Sequence, residues 1–127
     1  MNDQGHATSH RAPYVDVRTS GSVIAARVTS NAIGGLEAPA IQDHLAEAID
    51  SARPSPRFLV LDLSNVTFMN SVGLGMCIDT RNRANARKAT IAFGLTDEIK
   101  QLFRLMNLER LFEIIDDEAE LASRLRP

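Results

Sequence analysis

The sequence predicts an α/β domain, and three features carry that prediction. Phe58-Leu59-Val60-Leu61-Asp62-Leu63 is a nearly unbroken apolar run and reads as a strand buried on both faces. Ahead of it, Leu36, Ile41, Leu45, Ala48, Ile49 and Ala52 fall on one face of a helix running from Leu36 to Ala52. Earlier still, Tyr14-Val15-Asp16-Val17-Arg18 alternates apolar with polar. Ser20-Gly21-Ser22 then turns the chain into Val23–Val28, which makes a hairpin. A strand, a helix and a strand in that order require a crossover, so the second and third strands are expected to run parallel through a right-handed connection.

The remaining elements follow from local signals. Residues 1–12 are polar and aperiodic and are expected to form a flexible tail, leaving 13–127 as the folded domain. Gly34-Gly35 precedes the first helix, and Pro54 and Pro56 stop it. Ser64–Asn70 reads as a loop, and a second helix is expected from about Ser71 to Arg87. Ala89–Phe93 reads as a strand ended by Gly94, and Thr96 as the cap of a helix whose first turn holds Asp97 and Glu98. In that helix Ile99, Leu102, Phe103 and Met106 share a face, which makes Met106 core filler. Glu113-Ile114-Ile115 is a short strand candidate. Asp117 with Glu120 resembles a capping box before a last helix with apolar Leu121 and Leu125.

Composition narrows the functional classes. A chain of 127 residues is about one domain, with 44% apolar and 24% charged residues. Its formal charge of −2 gives no general attraction to nucleic acid or anionic membrane, and no apolar run approaches membrane-spanning length. One cysteine excludes an intramolecular disulfide, and the start of the chain lacks a secretory pattern, so a cytoplasmic location is expected. Arg81, Arg83, Arg87 and Lys88 form a local basic cluster that reads as a solvated helix face. His6 and His10 have a helical i, i+4 spacing without a third ligand, and His44 reads as a boundary residue among Asp43 and Glu47. Asp116, Asp117, Glu118 and Glu120 are explained by capping and solvation. No metal site and no cofactor are expected.

The residue that stands out chemically is Ser71, placed where a buried strand gives way to a helix. In an open α/β sheet that rim collects strand ends and helix N-termini, whose free N–H groups favour an anion such as a phosphoryl group. A hydrolase reading fails. The nucleophile elbow needs glycines two residues either side of the serine, and Met69 occupies the first position although Gly73 fills the second. The same chemistry needs a histidine after the serine, whereas the last histidine here is His44. No phosphate-cradling glycine loop or dinucleotide fingerprint is present. No catalytic residue is therefore assigned. Gly73 and Gly75 cost roughly 0.5–1 kcal/mol each relative to alanine in a helix. Their presence implies close approach, either by a partner reaching Ser71 or by the sheet beneath.

The segment Leu59-Val60-Leu61-Asp62-Leu63-Ser64-Asn65-Val66-Thr67-Phe68-Met69-Asn70-Ser71-Val72-Gly73-Leu74-Gly75 resembles the strand and phosphorylation loop of the STAS domain, in particular of bacterial anti-sigma factor antagonists. Ile99–Leu108 is similar to a later helix of that family. The resemblance implies a STAS-type single domain with a mixed four- to five-stranded sheet and helices packed mainly on one side. It implies a partner switch. The unphosphorylated antagonist binds an anti-sigma factor that is also a serine kinase of the histidine-kinase ATPase type, phosphorylation at Ser71 releases it, and a serine phosphatase resets it. The residues expected at the partner surface are Asn31, Ile33, Asn70, Ser71, Val72, Gly73, Leu74 and Gly75. Asn70 stands where the family usually has aspartate, and Ser30-Asn31-Ala32-Ile33 stands where it tends to carry an acidic residue. The alternatives are a constitutive STAS scaffold subunit of a transport or stress-sensing complex, and a STAS domain that binds a nucleotide or anion at the helix N-terminus.

Overall fold

The computed structural model describes residues 7–52 and 54–127. Its main sheet has six strands: β1 (Ala7–Ala12), β2 (Val15–Ser20), β3 (Val23–Val28), β5 (Phe58–Asp62), β7 (Ala89–Phe93) and β8 (Glu113–Ile115), side by side in that order. β1, β2 and β3 are antiparallel, whereas β3, β5, β7 and β8 are parallel, so the sheet is mixed as expected. Two further strands, β4 (Ala32–Ile33) and β6 (Phe68–Met69), form a separate parallel pair. The helices are α1 (Glu37–Ser51), α2 (Ser71–Ala84), α3 (Asp97–Leu105) and α4 (Glu118–Leu125).

The six-strand count exceeds the expected four or five because part of the expected tail is ordered. Residues 1–6 lie outside the described residues, but Ala7–Ala12 pair along their whole length with Ser20–Val15. This strand escapes sequence reading because Thr8 to Arg11 are exposed and polar, so nothing alternates. A polar edge strand of this kind closes the sheet without offering an apolar ledge. It joins β2 through Pro13 and Tyr14. Proline presets the first turn position, and Tyr14 takes the left-handed φ of 75° that the second position of a type II turn requires.

Strand alternation sorts side chains onto two faces of the sheet. Val15, Val17, Ile24, Ala26, Val28, Leu59, Leu61 and Ala92 face a core completed by Ile41, Leu45 and Ile49 of α1, Leu74, Met76 and Cys77 of α2, and Ile99 and Phe103 of α3. Phe58, Val60, Ile91, Phe93 and Ile115 face the other way, where Leu121 and Leu125 of α4 cover them. Three helices thus share one face and the short last helix takes the other. Met106 corrects the sequence reading. α3 ends at Leu105, and Met106, at the C-cap with φ −89° and ψ 6°, is 55% exposed. The caps themselves match: Thr96 Oγ1 accepts from Ile99 N, and Asp117 Oδ2 accepts from Glu120 N. Asp116 pairs with Lys100 at 2.8 Å, in line with a structural use of these acids.

Candidate functional site

The junction between β5 and α2 is built by a contact that sequence reading does not show. The segment read as a plain loop, 64–70, contains β6, and β6 pairs with β4 from the stretch after β3. Asn31 O accepts from Thr67 N at 2.8 Å and Phe68 N at 3.2 Å, and Asn31 Nδ2 donates to Asn65 O at 3.2 Å. Two-residue strands carry no detectable period, so this small sheet has no sequence signature. Its consequence is spatial: it brings the Asn31–Ile33 stretch against the segment that leads into α2, with Asn70 N donating to Ile33 O.

Ser71 occupies the first helical position of α2 and is exposed. It is not the cap. Asn70, in extended conformation with φ −100° and ψ −172°, caps the helix, its Oδ1 accepting from Val72 N at 3.0 Å and Gly73 N at 3.1 Å. Leu74 N already donates to Asn70 O at 3.0 Å. The N–H groups of Val72, Gly73 and Leu74 are therefore engaged, which corrects the expectation of an open anion cradle and weakens the reading of a nucleotide site at this helix end. The helix field remains. α2 has no acid in its first turn to offset the positive pole, so a charge placed on Ser71 is stabilised by the dipole alone.

Asn70 also has a local setting of its own. A side chain built on Gly34 would lie 3.4 Å from Asn70 Nδ2 and 3.6 Å from Glu37 Oε1. Glu37 Oε1 is fixed there by accepting from Gly34 N at 2.9 Å. Aspartate at 70 would keep the capping acceptor and add a second carboxylate to the surroundings of Gly34, where that of Glu37 already lies. Asparagine supplies the cap without that added charge.

The eight expected partner residues separate by depth. Asn31, Asn70, Ser71 and Val72 are exposed and Gly75 is half-exposed. Ile33, Gly73 and Leu74 are buried, so they shape the rim from beneath rather than line it. The two glycines have different reasons to be glycine. A Cβ on Gly73 would lie 2.3 Å from Ile33 O and 2.6 Å from Met69 Cγ, so the β4–β6 pair excludes a side chain there. A Cβ on Gly75 would meet nothing within 4 Å. Sequence reasoning misses two apolar neighbours of the rim, Phe68 at 57% exposure on β6 and Leu36 at 72% before α1, which join the 49% exposed Val72. Phe68 beside Met69, in a segment read as loop, is the signal that could have marked it.

Other candidates take structural places. Cys77 lies on the buried side of α2, and burial pushes its thiol up to about 12, which makes it inert. His10 is on β1, so the helical pairing with His6 does not apply, and His6 is outside the described residues. His10 and His44 instead face each other with ring centroids 6.1 Å apart, and His44 Nε2 is buried without a hydrogen-bond partner among the described residues. No group of three or more His, Cys, Asp or Glu side chains that could hold a metal occurs among the described residues.

With this fold and rim in place, comparison with known proteins is decisive for the family. The sequence profile of the STAS domain matches residues 14–121. The chain belongs to the STAS domain family. This STAS domain is 32% identical over 69 residues to a STAS-domain containing protein of Pseudomonas aeruginosa, covering 54% of this chain and 68% of that one. It is 33% identical over 64 residues to the anti-sigma-B factor antagonist of Listeria monocytogenes, covering 50% of this chain and 56% of that one. The match thus spans little more than half of the Listeria protein. Among solved structures, an anti-sigma factor antagonist from Mycobacterium paratuberculosis superposes with a TM-score of 0.74 over 100% of both chains, at 21% identity, which is agreement of fold. The Listeria and Mycobacterium proteins are named anti-sigma factor antagonists, and this STAS domain is similar to them over the segments and to the extent just given. No helix among the described residues is long and apolar enough to cross a membrane.

Proposed function

We propose that this STAS domain is the antagonist of a cytoplasmic partner switch, in which the rim around Ser71 binds an anti-sigma factor that is also a serine kinase of the histidine-kinase ATPase type. Phosphorylation of Ser71 ends that binding, and a serine phosphatase restores it. The observation that carries this reading is the division of labour between Asn70 and Ser71. Asn70 completes the helix cap by itself, so the exposed Ser71 hydroxyl can be modified without unmaking a structural bond. A phosphoryl group adds about −1.5 to −2 charges. Beside exposed Val72, and with apolar Phe68 on the same rim, that charge would have to be desolvated in any close complex, which favours release.

The test has two stages. Intact-mass analysis of the protein from its native host, with and without phosphatase, should show a phosphatase-sensitive form that maps to Ser71. Binding to each anti-sigma factor kinase of that host should then be retained by Ser71→Ala and weakened by Ser71→Asp by at least roughly tenfold, about 1.4 kcal/mol. Equal affinities for wild type and both variants would overturn the switch and leave a constitutive binding module.

A further inference from the structure

At the opposite end of α2 the chain forms a cleft of about 510 Å³ whose charges are not balanced. Ten residues separate Ser71 from Arg81, about 15 Å along a helix, so this cleft is distinct from the rim. Three cations from three stretches of chain line it: Arg81 in the last turn of α2, Lys88 just before β7, and Arg110 in the 3-10 turn Leu108–Arg110. Of the two acids that also line it, Glu113 is held by a bidentate pair and Glu109 makes only a long, exposed one. Glu113 holds Arg124 through two bonds of 2.8 and 3.1 Å, with Arg124 stacked 4.9 Å over the Phe58 ring, and Glu109 lies 3.9 Å from Arg104.

The cations have no such partners. Arg81 Nε donates to Leu111 O and its Nη1 to Asn82 Oδ1, both at 2.9 Å, so the guanidinium is held in place by neutral groups and keeps its charge uncompensated. Lys88 and Arg110 make no ion pair among the described residues. The negative pole of α2 accounts for part of this surplus, but Arg83 also serves that pole and is itself paired with Asp50 at 2.6 Å. The sequence reading of a solvated basic face holds for the exposed Arg83, Arg87 and Lys88, whereas Arg81 is half-buried and anchored to Leu111 O.

We propose that this cleft binds a small phosphorylated molecule. A guanidinium already oriented by its own hydrogen bonds, flanked by two cations without an ion pair among the described residues, suits the oxygens of a phosphate ester or a polyphosphate. The volume lies in the range of small-molecule sites and far exceeds a single ion. The Asn82 and Asn85 amides offer the polar contacts that an organic body needs. A chain of net charge −2 whose basic cleft is this compact is not shaped to track a nucleic-acid backbone.

The experiment is a titration of the full chain, followed by amide NMR shifts, with inorganic phosphate, pyrophosphate and adenosine triphosphate as separate probes. The expected result is a set of shifts confined to 81–90 and 108–113, with affinity rising along that probe series and falling with added salt. The double variant Lys88→Glu/Arg110→Glu should bind pyrophosphate at least roughly tenfold more weakly. Arg11→Glu, on β1 at the far edge of the sheet from β8, should bind as wild type does. Absence of shifts at millimolar probe, shifts centred on Asn70–Gly73 instead, or unchanged affinity in the double variant would each overturn the proposal. The wild-type shift map decides the matter even if the double variant fails to fold.

Discussion

The two sides of helix α2 obey different rules. Its inner side, Gly73, Leu74, Met76, Cys77, Thr80 and Ala84, is buried, and Gly73 fits so closely under Ile33 O that one added carbon would collide with backbone. Its outer side, Ser71, Val72, Gly75, Asp79 and Asn82, is open to varying degrees, and Gly75 has empty space above it. The same residue type, two positions apart, is imposed by the fold in one case and by nothing within the chain in the other. A glycine the fold does not need, one turn from an exposed serine, is what a surface reserved for close approach by another molecule would retain.

The largest test of this contrast is Gly73→Ala. Forcing Cβ against Ile33 O should cost roughly 3 kcal/mol and displace the β4–β6 pair, read as a lowered denaturant midpoint. A variant as stable as wild type would show that the inner side is not locked. The second test uses Cys77 as a reporter of inner-side burial. Its folded pKa of about 12 lies above the ordinary 9.0. Below pH 9.0 the thiol is protonated in both states and contributes no pH dependence. Above it the unfolded chain loses the proton first, so stability should fall by about 1.4 kcal/mol per pH unit up to the folded value. Unfolding curves on either side of pH 9.0 should show this slope in wild type and lack it in Cys77→Ala.

Smaller effects sharpen the outer side. Asn70→Ala removes both cap bonds and should cost about 1 kcal/mol, while Asn70→Asp should keep most of the cap, measured by thermal unfolding. Gly75→Ala should stabilise the free domain by roughly 0.5–1 kcal/mol, because alanine is the better helix former and nothing opposes its methyl group. If Gly75 serves a partner, the same substitution weakens the complex while strengthening the domain. Gains in both would remove Gly75 from the proposed interface.

Much of this architecture is legible in the sequence, for identifiable reasons. Phe58–Leu63 announces a central strand because both of its faces are covered, and Ile41, Leu45 and Ile49 announce α1 because one of its faces is. Thr96 and Asp117 announce helix starts because capping is local chemistry. What stays hidden depends on distant partners. Ala7–Ala12 becomes a strand only because β2 offers a free ladder, and β4 and β6 exist only because each meets the other. Met106 follows the helical spacing of Ile99 and Phe103, but the helix stops one residue earlier and its side chain swings out. At the site, asparagine and serine are both residue types that cap helices, so composition does not separate Asn70 from Ser71. Geometry gives the cap to Asn70 and frees Ser71.

The polar hexapeptide β1 also has a bearing on how the molecule behaves in company. Without it, β2 would present an unpaired row of N–H and C=O groups from Val15 to Ser20, with Val15 and Val17 in its apolar half, and any second copy could complete the ladder. β1 works as insulation. It satisfies the ladder with residues too hydrophilic to recruit another sheet, so a chain begun at Pro13 should keep the fold of its core and lose its reluctance to aggregate.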